Sequence, residues 1–190
     1  MWYMYYEDMI FSKEDFDLLT FENSEFFNCN FKNISFNSSN FSNTSFENCI
    51  FDSCHLTSVD LTDSKFVEVK FIKSELISLN FSNINTFVIE IEFEDSYLKY
   101  CDFAKLNLTK TKFTSSILKE CIFLETNLNK SDFSNTNLLG TTFENCNLEN
   151  SNFKDAINYR INPLTNSIKG GKFSTSGLVG LLKEFNIKIV

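Results

Sequence analysis

Glycine and proline are nearly missing from this 190-residue sequence: it holds five glycines and one proline, and four of the glycines lie at or beyond Gly170. A sandwich or barrel built from hairpins needs Gly, Asn-Gly or Pro at its turns. Residues 1–155, with Gly140 alone, do not describe one. Histidine is reduced to His55, so a nucleophile–His–acid site has no other imidazole to use, and nothing around this one suggests a pocket. No Gly-rich phosphate loop, CxxC pair or His cluster is present. No stretch reaches the ~18 consecutive apolar residues of a membrane span. The start, Met1-Trp2-Tyr3-Met4-Tyr5-Tyr6-Glu7-Asp8, lacks the basic and apolar regions of a signal peptide. These absences predict a cytoplasmic protein that is not an enzyme, with no catalytic residue, metal ligand or cofactor to assign.

What is abundant is Phe, 23 times, and it is periodic. From Phe11 every fifth residue to Phe81 is Phe or Leu; the phase then slips by two residues and resumes from Phe93 to Phe153. A period of five matches neither a 3.6-residue helix nor a two-residue strand. It fits a chain that turns a corner every pentad, with a large central side chain and the small one two places before it both pointing inward. Four sides close a coil of about twenty residues, whose backbone bonds to the next coil at the strand spacing of ~4.8 Å. After the slip Phe and Leu alternate strictly. One pair of opposite faces is therefore expected to carry Phe ladders and the other pair Leu ladders.

All six cysteines (Cys29, Cys49, Cys54, Cys101, Cys121, Cys146) precede a centre by two residues. The rule that sends Ser and Thr inward sends them inward too, as buried free thiols. Cys29/Cys49 and Cys101/Cys121 are twenty apart and so stacked, but parallel stacked side chains do not suit the torsion of a disulfide. An open rod end exposes unpaired strand edges and needs a cover. Trp2, Tyr3, Tyr5 and Tyr6 are suited to one end. At the other, Ser174 or Ser176 is placed to cap a short helix with Leu178, Leu181, Leu182 and Phe185 on one face, followed by an apolar run, Ile187-Lys188-Ile189-Val190, in strand form.

Stretches such as Ser131-Asp132-Phe133-Ser134-Asn135 and Cys146-Asn147-Leu148-Glu149-Asn150 resemble the pentapeptide-repeat family: a small residue, Asn or Asp, Leu or Phe, then two polar residues. The resemblance implies an all-β, right-handed quadrilateral β-helix, here of about seven coils with a short C-terminal helical cap. The expected organisation is an N-terminal cap at 1–10, repeats at 11–155 with a phase break at 82–92, and a capping segment at 156–190. In some family members such a segment makes a symmetric dimer, which assigns Leu178, Leu181, Leu182 and Phe185 to a homodimer contact.

Charge is the remaining clue. Residues 1–155 sum to −12 and residues 156–190 to +4, giving the chain's −8. In the first half, the face centred on Phe11, Phe31, Phe51 and Phe71 carries Lys13, Lys32, Lys70 and Lys73 against Asp52. The other three carry Glu14, Asp15, Asp17 and Glu75; Glu22, Asp60 and Asp63; and Glu25, Glu47 and Glu68 with Lys65. Such a rod has roughly half the linear charge density of duplex DNA. It repels nucleic acid and attracts proteins with DNA-binding grooves; an acidic excess also serves simple solubility. Compact members with this layout resemble the quinolone-resistance (Qnr-type) and gyrase-poison immunity proteins, which implies a DNA mimic acting on DNA gyrase or topoisomerase IV. The candidate partner-binding residues are the early group Glu14, Asp15, Asp17, Glu22 and Glu25 and the group after the break, Glu90, Glu92, Glu94 and Asp95. The break itself is either a bulge that re-aims this acidic group or a repaired slip in repeat copying. A structural or interaction scaffold with an unrelated protein partner is the alternative. An ice-binding surface is disfavoured, because it needs a regular Thr ladder and the outward residues are irregular and charged.

Overall fold

A polypeptide that places a bulky apolar side chain inward every fifth residue can satisfy its backbone only by pairing with itself one coil away. In the computed structural model it does so. The structure describes residues 4–185, 187 and 188, and of residues 17 and 18 only the backbone. Among the described residues every strand pair is parallel, and away from the phase break each links residues twenty apart, as in Phe26↔Phe46, Phe31↔Phe51 and Leu56↔Leu76. The result is a right-handed, four-sided parallel β-helix of about eight turns.

Four inward ladders define the faces. Face A runs from Tyr6 through Phe26, Phe46 and Phe66 to Leu108, Leu128 and Leu148; face B from Phe11 through Phe31, Phe51, Phe71, Phe93, Phe113, Phe133 and Phe153 to Phe173. Face C runs from Phe16 and Phe36 through Leu56, Leu76, Leu98 and Leu118 to Leu138, and face D from Phe21 and Phe41 through Leu61, Phe81, Phe103 and Phe123 to Phe143 and Ile161. As the alternation requires, the second half has Phe on B and D and Leu on A and C. Its rings lie parallel along a face (Phe113–Phe133, 4.8 Å and 4°) and edge-on across the core (Phe113–Phe123, 5.7 Å and 87°), the two arrangements that ring quadrupoles favour.

The corners explain the scarcity of glycine. Among the described residues twenty-six that are not glycine have φ between about 50° and 67°, and all but Asn158 stand two places after a centre. Asn, Asp and Ser tolerate this left-handed conformation best, and they fill most corners of the first half. Lys105, Lys110 and Tyr100 adopt it too, each held by its N–H donating to a carbonyl of the next coil, Lys105 to Leu124 at 2.8 Å.

The small inward residues have a second task that hydropathy does not reveal. The Thr126 hydroxyl donates to the Phe103 carbonyl (2.9 Å), Ser131 to Leu108 (2.8 Å), Thr136 to Phe113 (2.8 Å) and Ser151 to Leu128 (2.7 Å). Each reaches back 23 residues to the carbonyl of a centre in the preceding coil. The thiols do likewise, Cys49 to Phe26 and Cys54 to Phe31, both at 3.3 Å. All six cysteines are buried and free, and burial raises the Cys54 thiol to about 11.

The coil that contains the phase break takes 22 residues instead of twenty: Phe71 pairs with Phe93 and Leu76 with Leu98. Ser96 accordingly reaches back 25 residues, to the Phe71 carbonyl. At the break Ile89, paired with Phe66 and half-buried against the core, takes the place of the face A centre, and oversized neighbours fill the space around it: Ile84, Ile91 and Leu106 are all buried. Leu106, which breaks the small-residue rule in sequence, stands one 22-residue coil beyond Ile84.

Both ends extend the ladder beyond the sequence boundaries. Tyr6, read as part of a cap, is a face A centre stacked on Phe26 at 4.7 Å. At the far end Phe153 pairs with Phe173, and Leu148 donates to the Ser167 carbonyl, so residues 156–173 add a coil instead of only capping. The sequence reading missed that coil because its centres at 158 and 163 are Asn and Pro; the buried Tyr159 and Ile161 stand in for them. The cap proper is a 3-10 turn Thr175–Gly177, an α-helix Val179–Leu182 and a 3-10 turn Lys183–Phe185. Gly180 lies against Tyr159, where a Cβ would come 2.5 Å from the Tyr159 ring and carbonyl oxygen. Ser174 precedes the first turn but makes no side-chain cap; its hydroxyl donates to the Asp155 carboxylate (2.9 Å). Ile187 and Lys188 are not in a strand. The rest of the expected final strand, Ile189 and Val190, and the expected end cover Trp2 and Tyr3 lie outside the described residues.

Candidate protein-interaction surfaces

With the interior filled by ladders, function falls to outward residues, which recur in columns one coil apart. The group after the break lies on strand Ile89–Glu94 and the corner that follows it. There, alternation buries Ile91 and Phe93 and turns Glu90, Glu92 and Glu94 outward. It is not uniformly acidic: Glu92 lies between Lys70 (3.8 Å) and Lys112 (2.9 Å), and the Glu92 hydrogen bond and charge hold the Lys112 ammonium above its usual range. Beside this strand is a cleft of about 500 Å³ lined by Glu68, Val69, Lys70, Ile89 to Glu92 and Thr109 to Thr111.

The early group is dispersed over three faces. Glu14 and Asp15 belong to a 3-10 turn, Lys13–Leu18, that replaces a strand on face C. Asp15 accepts from both the N–H and the hydroxyl of Ser12 (2.8 Å each), which holds its carboxyl below the usual value. Glu22 follows the first face D centre, and Glu25 is on face A beside Ser45. The side chain of Asp17 lies outside the described part. His55 is exposed, its Nδ1 3.0 Å from Glu75 one coil on. Among the described residues no group of three or more His, Cys, Asp or Glu side chains is placed to hold a metal ion, and no helix is long and apolar enough to cross a membrane.

Sorting the whole rod by face gives two patterns that sequence inspection of the first half did not. Face D is acidic from its first coil to Glu144: Glu22, Asp60, Asp63, Asp102, Glu125 and Glu144 against Lys105, with Arg160 beyond them beside Ile161 and paired with Glu184. Asp60 is held below its usual value by the hydroxyl and N–H of Thr62. Face A changes sign at the break, with Glu7, Asp8, Glu25, Glu47 and Glu68 outweighing Lys65 before it, and Lys110, Lys130 and Lys169 outweighing Glu149 after it.

Exposed apolar residues form three further sets, two of which sequence reasoning missed. Phe87, in the inserted segment, is 94% exposed beside Val88; its sequence signal is an aromatic residue out of phase. Tyr100, Ile117, Ile122 and Leu139 are exposed on faces C and D of the second half. At the C-terminal end the four residues expected on one face divide: Leu181 packs against the core, whereas Leu178, Leu182 and Phe185 are exposed with Val179 and Ile187.

A model of the pentapeptide repeat region matches residues 24–103 and 96–173. No match is found among curated proteins. Among solved structures, the chain is similar to a trypsin-treated variant of QnrB1, a plasmid-mediated fluoroquinolone resistance protein, with 14% identity over 99% of both chains and a TM-score of 0.57. Full-length QnrB1 gives 14% identity, 97% and 98% coverage and a TM-score of 0.41. HetL, a pentapeptide repeat protein involved in heterocyst differentiation regulation from the cyanobacterium Nostoc sp. strain PCC 7120, gives 12% identity, 90% and 83% coverage and 0.35. The matched region spans most of the chain and coincides with the observed ladders, so the chain belongs to the pentapeptide-repeat family.

Proposed function

We propose that this protein is a non-catalytic ligand of a type II topoisomerase, DNA gyrase or topoisomerase IV, that occupies a DNA-binding groove as a mimic of DNA. Its role is to modulate the enzyme in the cytoplasm or to protect it from quinolones or peptide poisons. The observation that carries this reading is face D. Six carboxylates against one lysine spread over seven coils, about 29 Å at ~4.8 Å per coil. That is one net charge per ~6 Å, roughly half the density of a single DNA strand with its ~3.4 Å spacing. A straight acidic edge on a rigid rod suits a basic groove, and long-range attraction speeds such encounters. The fold similarity to QnrB1 supports the choice of target class. With Glu22 already on face D, the early carboxylates Glu14, Asp15 and Glu25 add negative charge on the other faces of the N-terminal end, and Glu90, Glu94 and Asp95 add it beside the break. The exposed Leu178, Leu182 and Phe185 at the other end join two protomers into a homodimer.

The test is DNA supercoiling and drug-stabilised cleavage by purified gyrase, with the protein and with a variant in which Asp60, Asp63 and Asp102 are replaced by Lys. The expected result is inhibition or drug protection by the parent protein and its loss in the variant. No effect of the parent protein at micromolar concentration sinks the reading. A second reading, an interaction scaffold for an unrelated protein, is favoured by one observation: Tyr100, Ile117, Ile122 and Leu139 expose apolar surface on two adjacent faces of the second half, as partner-binding patches do. Unchanged topoisomerase activity, together with a partner whose binding is lost in Ile122→Asp, supports it.

A further inference from the structure

Face A carries acid on one side of the phase break and base on the other, with a bare aromatic ring between them. Glu68 stands one coil before the break and Lys110 one coil after it, in the same corner column. Glu7 lies at the first coil and Lys169 at the last, again in a shared column one place after their centres. Phe87 lies on this face between Asn85, whose N–H donates to the Ser64 carbonyl, and Ile89, which pairs with Phe66. It points into solvent with 94% of its surface exposed.

We propose that face A is a self-association surface on which a second copy of this chain docks antiparallel. The two-fold axis lies in the interface, runs across the rods and passes through the level of the break. That operation keeps each residue in its column and exchanges coils on either side of the break. Glu68 of one protomer therefore meets Lys110 of its partner, and Glu7 meets Lys169, each twice by symmetry. Glu149 falls opposite Phe27 and Lys65 opposite Asn107, so neither meets a like charge. Phe87 and Val88 lie on the axis and cover their own symmetry mates, an apolar centre with charge pairs on both sides. Glu90 is the like-charge exception near the axis, and Lys110 of the same chain lines the cleft beside it. A face about 38 Å long and about 13 Å wide buries about 1,000 Å² in total, at the lower limit for a specific interface. The dimer is therefore weak, concentration-dependent and weakened by salt. It leaves the acidic face D outside and does not depend on the topoisomerase reading.

The test is sedimentation of the full chain carrying Leu182→Asp, which removes the separate apolar contact at the C-terminal end. Expected is a monomer–dimer equilibrium that Phe87→Asp abolishes. Glu68→Lys or Lys110→Glu alone weakens it about tenfold, since each reversal places like charges together at two symmetric positions. The double variant Glu68→Lys, Lys110→Glu restores it, because each reversed group then meets its opposite on the partner. A monomer at all concentrations, or a double variant no tighter than the singles, overturns the proposal. Phe87→Asp needs no separate folding control beyond far-ultraviolet circular dichroism, because the ring makes no core contact.

Discussion

The two halves of the rod solve the same packing problem with different side chains, and the second half solves it better. Between Phe93 and Phe153 each coil holds two phenyl rings and two leucines, and rings along a face are parallel to within 9°. In the first two full coils all four centres are Phe. Faces A and B keep stacked rings there, Phe26–Phe46 at 12° and Phe31–Phe51 at 18°. Faces C and D do not: Phe21–Phe41 is tilted by 38° and Phe16–Phe36 stands at 75°. Four rings in one square cross-section crowd one another, and the sequence turns to Leu56 and Leu61 on the two disturbed faces in the next coil. The lesson is that a ladder needs a partner face of different shape, not only a hydrophobic residue at every fifth place.

The largest effect that separates the halves is expected from Phe133→Ala. Its ring is fully buried and stacked on both sides, so truncation should cost about 3–5 kcal/mol in urea or thermal unfolding. Phe16→Ala, at a half-buried and misaligned ring, should cost clearly less; equal costs would show that ring alignment contributes little. A smaller effect of opposite sign is expected at the corners. The second half places Tyr100, Lys105, Lys110 and Glu120 in left-handed conformation where the first half has mainly Asn, Ser and Asp. Lys105→Asn should stabilise by about 0.5–1 kcal/mol through the lower backbone penalty, whereas Asn23→Lys should destabilise. The smallest effect concerns acid. The depressed carboxyls Asp15 and Asp60 both lie in the first half. A carboxylate with a lowered folded pKa contributes stability above its unfolded value, about 3.9, and loses it as pH falls through the folded value. Amide protection factors should therefore fall more in residues 4–63 than in residues 93–155 as pH drops below about 4.

The five-residue period, the four faces and the inward cysteines were all readable from spacing, because a ladder repeats its own evidence. The interruptions were not. Asn158 and Pro163 conceal the last coil since the buried groups there, Tyr159 and Ile161, are displaced from the period by one and two residues. The turn Lys13–Leu18 keeps Phe16 in phase, so periodicity cannot tell it from a strand. The surface was legible only in part. Charges could be assigned to faces, but the pairing of Glu92 with two lysines depends on a register shift of two residues that the sequence shows only as a slip. Phe87 lay inside the segment read as a gap, which is why the most exposed aromatic ring in the described chain escaped notice.

The 22-residue coil also bears on how such rods change length and acquire appendages. The extra pair of residues is absorbed within one turn, and every column beyond it regains its alignment. Neighbouring coils therefore do not propagate the disturbance, and the site is a natural port where a longer segment can be spliced in without rewriting the rest of the molecule.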